Sequence, residues 1–198
     1  MDLERINILL AEDNMHMATL IRSIVRALGV GRISTVDDGA AAFQYFTRFP
    51  DVDIVLTDWN MRPMDSLALV RLVRTDPKSP NRFIPIIMLT GHTELSRVME
   101  ARDAGVDEFV AKPFSARSLY TRLEAVVLHR RPFIRMPRYF GPDRRRHALE
   151  TYTGPERRRT IPQPATPQAL SQTELLALLD QQGHTEAGEG DISSPPHA

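Results

Sequence analysis

Five polar side chains stand where apolar runs of the sequence stop. Glu12 and Asp13 follow residues 6–11, Asp58 follows 52–57, Thr90 closes 84–90, and Lys112 follows 106–111. Three carboxylates brought close together repel one another unless a cation offsets them. An all-oxygen donor set suits a hard ion, and Mg²⁺ typically takes one or two carboxylates while keeping waters and room for phosphate oxygens. Lys112 adds a point charge and Thr90 a hydroxyl donor. That combination holds a phosphoryl group and offers nothing obvious for acyl transfer. The 198 residues include no Cys, which excludes a disulfide framework, a thiolate metal site and a cysteine nucleophile. There is no Gly-rich phosphate loop, so nucleotide binding is disfavoured. What remains is a carboxylate that is itself phosphorylated, and Asp58, alone at the end of the central strand, is the candidate nucleophile.

These residues need elements to position them, and the first 129 residues alternate between two periodicities. The short apolar runs at 6–11, 32–36, 52–57, 84–90 and 106–111 read as strands, most of them buried on both faces. Helical spacing fills the intervals 14–28, 38–49, 65–74, 94–104 and 115–128. Met17, Leu20, Ile21, Ile24, Val25 and Leu28 form the first stripe, and Gly29, Pro50, Pro77 and Gly105 stop successive helices. Five strand–helix units with short loops predict an α/β doubly wound domain built on a parallel sheet. In such sheets ligands bind outside the carboxyl ends of the strands, where the strand order reverses. The five polar residues all fall on that edge.

Four stretches carry a family resemblance: Leu9-Leu10-Ala11-Glu12-Asp13-Asn14, Asp53-Ile54-Val55-Leu56-Thr57-Asp58-Trp59-Asn60-Met61, Ile86-Ile87-Met88-Leu89-Thr90-Gly91 and Phe109-Val110-Ala111-Lys112-Pro113-Phe114. Through them, residues 5–128 resemble a response-regulator receiver domain of the chemotaxis type, the phospho-acceptor module of two-component signalling. The resemblance implies a flavodoxin-like sheet in the order 2-1-3-4-5 with five helices. It implies that Asp58 accepts a phosphoryl group from a histidine kinase or a histidine phosphotransfer protein. Mg²⁺ would be held by Asp13, by Glu12 mainly through water, by Asp58 and by the Asn60 carbonyl. Lys112 would pair with the phosphoryl oxygens, and Thr90 would move toward them while Phe109 switches rotamer. Asn60 and His92 would tune dephosphorylation. Downstream proteins would meet the face of the fourth helix, fifth strand and fifth helix, and a homodimer is a further possible partner. Self-phosphorylation and self-dephosphorylation would be limited, so the chain is expected to be a phospho-acceptor and not an enzyme. After Asp58 the sequence departs from the family pattern: Pro63 is displaced by one position and Ser66 replaces Gly, so this loop is expected to follow its own path.

The chain holds 25 Lys+Arg and 25 Asp+Glu, but the balance is one of cancellation. Residues 1–129 carry 15 basic and 17 acidic side chains, residues 130–159 carry 10 and 3, and residues 160–198 carry none and 5. The sequence thus divides into a receiver domain at 1–129 and a mostly irregular C-terminal extension, made of a basic segment at 130–160 and, at 161–198, a Pro-rich linker, a short amphipathic helix near 172–182 and a disordered end. The basic segment repeats Tyr-x-Gly-Pro-acid-Arg-Arg-Arg, first from Tyr139 to Arg146 and again from Tyr152 to Arg159. Arg144, Arg145, Arg146, Arg157, Arg158 and Arg159 suit an anionic partner: nucleic acid, a membrane, a nucleotide or an acidic protein. Docking onto the chain's own acidic surface is a further option. No recognisable DNA-binding output domain follows, so the leading expectation is a single-domain response regulator acting through protein contacts. The second reading is a receiver-based scaffold or binding module whose Arg-rich tail is the output. The acidic start and the absence of a long apolar run predict a soluble, cytoplasmic chain.

Overall fold

The computed structural model describes residues 3–91, 94–136 and 139–144. His92, Arg145, Arg146, Arg157, Arg158, Arg159 and the stretch at 172–182 lie outside the described residues. The order is β1 (Asn7–Ala11), α1 (Met15–Ala27), β2 (Arg32–Val36), α2 (Gly39–Arg48), β3 (Ile54–Asp58), α3 (Ser66–Thr75), β4 (Ile86–Thr90), α4 (Leu95–Ala104), β5 (Glu108–Ala111) and α5 (Ala116–Leu128). The five strands form one parallel sheet in the order β2-β1-β3-β4-β5, as expected. The strands are short apolar runs because both faces of the sheet are covered. Alternate side chains enter opposite cores. Leu9, Val55, Ile86, Met88 and Phe109 pack on the side of α2, α3 and α4, whereas Ile8, Leu10, Leu56, Ile87 and Val110 meet α1 and α5. Each large aliphatic side chain removed from water in this way contributes about 1.5–3 kcal/mol.

Helix starts are set by side chains that accept from the free first-turn amides. Asn14 caps α1 through His16 and Met17, Asp38 caps α2 through Ala40 and Ala41, and Asp65 caps α3 through Ala68. Ser115 and Ser118 form a reciprocal capping box on α5. The caps at Asn14 and Asp65 close loops at the carboxyl edge of the sheet and so help to hold that edge in place. Helix α4 ends at Gly105, whose φ of 105° is open to glycine and strained for other residues. β5 starts two residues later than the apolar run implied, because Asp107 turns its carboxylate onto the Ile86 amide at 2.8 Å.

The described fold continues past Leu128. β6 (Phe133–Met136) and β7 (Tyr139–Pro142) pair antiparallel and pack against α3 and α4 at the amino-terminal end of the sheet. Phe83, Phe133 and Phe140 form a triangle with ring centroids 5.1–5.6 Å apart. Beneath them lies Arg74, only 1% exposed. It donates to the carbonyls of Gly105, Arg82 and Ile84 and to Asp107 at 2.8 Å. Its guanidinium carbon also sits 5.0 Å from the centre of the Phe133 ring. Arg131 ties the hairpin to the carbonyls of Asp107 and Asp143. The chain beyond 129 was expected to be mostly irregular. Residues 130–136 and 139–144 instead form an ordered addition to the domain, because three aromatic rings and a buried cation give them something to pack on.

Candidate phospho-acceptor site

Parallel register brings the polar strand ends to one level. Ala11 lies opposite Thr57, Asp58 opposite Leu89, and Thr90 opposite Ala111, so Glu12 and Lys112 project from the same edge. Backbone bonds fix the termini: Glu12 donates its amide to Val36, Trp59 to Leu89, and Lys112 to the Thr90 carbonyl at 2.7 Å. Trp59 and Met61 are buried in the α2–α3–α4 core and anchor the loop beyond Asp58.

At this edge the structure assembles the acidic set. Carboxylate oxygens of Glu12, Asp13 and Asp58 lie within 4.8 Å of one another. Glu12 is 2% exposed and Asp58 8%, while Asp13 opens to solvent. Lys112 Nζ stands 2.7 Å from Asp58 Oδ1 and 3.3 Å from Glu12 Oε2. One ammonium therefore faces three carboxylates, leaving the group two negative charges in excess when all are ionised. Burial pushes the Glu12 carboxyl above its ordinary value, and the neighbouring Asp58 pushes it the same way, against the pull of Lys112. The Asn14 amide donates to Glu12 Oε1 at 3.3 Å and gives that carboxylate a second fixed partner. A set of three close carboxylates, two of them buried, with a single counter-charge fits a hard divalent cation.

Thr90 is fully buried at the end of β4. Asn60 is exposed two residues beyond Asp58, on the loop leading to α3. Phe109 is 1% exposed and belongs to the core cluster that includes Met88, Val98 and Ala101, so its ring points inward. The loop after Asp58 contains a cis Arg62–Pro63 peptide, and the Met64 carbonyl accepts from the Gly39 amide at 3.1 Å.

Sequence reasoning missed what Ser66 does. Its hydroxyl lies 2.6 Å from that of Thr57 and donates to the Asp58 carbonyl, which buttresses the end of β3. The signal was the unusual Ser itself, whose hydroxyl needs a partner when buried. The Arg74–Asp107 pair was also missed, since 33 residues separate the two. Of the tail cations, Arg144 is turned toward the domain: it pairs with Asp103 at 3.4 Å and lies 4.2 Å from the centre of the Tyr139 ring. No helix among the described residues is long and apolar enough to cross a membrane.

Comparison with known proteins agrees with the geometry. The sequence profile of the response regulator receiver domain matches residues 8–124. Chemotaxis protein CheY-3 of Vibrio cholerae is 30% identical over 123 residues, covering 62% of this chain and 92% of that protein. Chemotaxis protein CheY of Pseudomonas aeruginosa is 33% identical over 119 residues, covering 60% and 94%. Among solved structures, the receiver domain of the sensor histidine kinase PA1611 from Pseudomonas aeruginosa is 31% identical with a TM-score of 0.54, covering 60% of this chain and 93% of that one. It holds a magnesium ion in its active-site cleft. Vibrio cholerae CheY4 shares the fold at 24% identity, with a TM-score of 0.56 and coverage of 62% and 98%.

Proposed function

Because the chain belongs to the response regulator receiver family of two-component signalling, we propose that it is a phosphorylation switch with Asp58 as acceptor. Receiver domains are phospho-acceptors that take the group from histidine kinases and act on downstream targets. The observation that carries the assignment to Asp58 is its place at the focus of the charged cluster, with Lys112 on Oδ1 at 2.7 Å and two further carboxylates within reach of one ion.

Lys112 holds Oδ1, which leaves Oδ2 as the attacking atom. Attack on a phosphohistidine forms an O–P bond as the P–N bond breaks, and the imidazole nitrogen leaves with the electron pair. Glu12, Asp13, Asp58 and the Asn60 carbonyl would hold Mg²⁺, which when bound offsets the charge of the carboxylates and of the phosphoryl oxygens. Lys112 would supply a positive charge to a phosphoryl oxygen, its ammonium already standing beside the acceptor carboxylate. The Thr90 hydroxyl would donate to the same group. Phe109 follows it on the neighbouring strand and would respond by repacking toward α4. Asn60 and His92 would set how readily water reaches the phosphoryl group, which sets the lifetime of the signal.

A small acyl phosphate with Mg²⁺ is expected to add one acid-stable, hydroxylamine-sensitive phosphate per chain. Asp58→Asn is expected to abolish it. Normal labelling of that variant would overturn the assignment.

A further inference from the structure

The first copy of the repeat shows what its residues are for. The Tyr139 hydroxyl donates to the Pro142 carbonyl at 2.7 Å and closes the turn. Gly141 leaves no room for a side chain: a Cβ there would stand 2.6 Å from the Tyr139 hydroxyl oxygen and 3.0 Å from Gly105 Cα. Asp143 donates its amide to the Pro132 carbonyl at 2.7 Å. Arg144, backed by the Tyr139 ring, then pairs with Asp103 near the end of α4. The motif is thus a compact turn that delivers an aromatic-backed guanidinium to a carboxylate on a helix. The same residue types recur thirteen positions later as Tyr152, Gly154, Pro155, Glu156 and Arg157.

Helix α4 offers a second carboxylate. Glu100 lies three residues before Asp103, on the same helix face and one turn back. Both acids line a groove of about 590 Å³ between α3 and α4 beside β7, together with Arg71, Thr75, Met99 and Tyr139. Glu100 is paired with Arg71 at 3.0 Å, but both side chains are more than half exposed, with relative accessibilities of 52% and 57%. Such a pair is worth about 0–1 kcal/mol, so a competing cation displaces it readily. The position of Arg144 on Asp103 brings the chain to the rim of this groove. Only seven residues, 145–151, separate it from Tyr152, a distance the chain spans up to about 28 Å.

We infer that residues 152–159 dock in the α3–α4 groove, with Arg157 on Glu100 as Arg144 is on Asp103. The second copy has Thr153 where the first has Phe140, the residue that packs on Phe83 and Phe133. It therefore lacks the apolar anchor of the first copy and holds on through the Tyr ring and its cations. Residues 139–144 of the first copy pack on the domain, and the second copy is a reversible, salt-sensitive clamp on α4.

The absence of Cys from the chain makes the test direct. Ser96→Cys, at the exposed wall of the groove, is combined with Thr153→Cys in the full chain, and disulfide formation under mild oxidation is followed by non-reducing gel at low protein concentration. A monomeric cross-linked product is expected. Its rate should fall at least about tenfold when Arg157, Arg158 and Arg159 become Ala, and should fall comparably with Glu100→Gln, since docking sets the effective concentration of the two thiols. Asp51→Asn, at an exposed acid far from the groove, should leave the rate unchanged. A rate that ignores Glu100→Gln, an equal fall with Asp51→Asn, or a product that is a disulfide-linked dimer would each overturn the inference.

Discussion

Replacing Glu12 by Gln tests the electrostatics of the acceptor site without touching the acceptor. Glu12 is 2% exposed, faces Asp58, and has Lys112 at 3.3 Å as its cationic partner. Its carboxyl is raised above the ordinary 4.5, first by burial and then by Asp58. A carboxyl raised in the folded state binds more protons there than in the unfolded chain. Stability in the absence of divalent cation is therefore fully present below about pH 4.5 and falls as pH rises from that value through the folded-state value. Each unit of elevation is worth about 1.4 kcal/mol of lost stability once the group is ionised. Urea unfolding from pH 4.5 to 8, with chelator present, reads this directly. The wild type should lose stability across the lower part of the range and then level off, whereas Glu12→Gln should be flatter there and more stable at pH 7. Mg²⁺ should narrow that difference. At ten times its dissociation constant it stabilises the wild type by about 1.4 kcal/mol, and the same concentration should do less for the variant, which has lost one carboxylate. A Glu12→Gln chain that is less stable than the wild type at pH 7 without cation, or that keeps the wild-type pH slope, would refute the reasoning.

Other perturbations probe the rest of the architecture. Arg74→Met leaves the Asp107 carboxylate buried without its cation and should cost about 3–5 kcal/mol in urea unfolding, part of it recovered by adding Asp107→Leu. Gly141→Ala forces a methyl group against the Tyr139 hydroxyl and Gly105, so amide exchange over the β6–β7 hairpin should rise while the five-stranded sheet keeps its protection. Ser66→Ala removes the hydroxyl shared between Thr57 and the Asp58 carbonyl and should lower stability by about 1–3 kcal/mol, with a further drop in the rate of phosphoryl uptake as the acceptor strand loosens.

The sheet and its active edge were legible because their signals are local and repeated. Runs such as Ile86-Ile87-Met88-Leu89 can only be strands covered on both sides, and Asn14, Asp38, Asp65 and Ser115 announce helix starts that the structure keeps. Once five such units are recognised, topology alone carries Glu12, Asp58, Thr90 and Lys112 to one edge. The hairpin at 133–142 was hidden for the opposite reason. Its strands are four residues long, and its stability comes from Phe83 and Arg74, each some fifty residues or more away. Arg74 sits at the end of a helix where a cation ordinarily faces water. Only the partner at Asp107 and three carbonyls make its burial tolerable, and no spacing rule encodes that set. The Ser66 substitution stood out in the sequence as a departure, but only the fold shows that its hydroxyl braces Asp58. The charge count pointed to a cationic tail seeking an anion. For Arg144, the anion is Asp103 of the same chain.

The central claim is that Asp58, and no other carboxylate of the cluster, takes the phosphoryl group, and that it does so with a divalent cation in place. Borohydride reduction converts an aspartyl phosphate to homoserine, and peptide mass spectrometry then locates it. After treatment with a phosphohistidine donor or a small acyl phosphate, homoserine should appear at position 58 and only when Mg²⁺ is present. Homoserine at position 13, or equal conversion at 58 in the presence of chelator, would contradict the account.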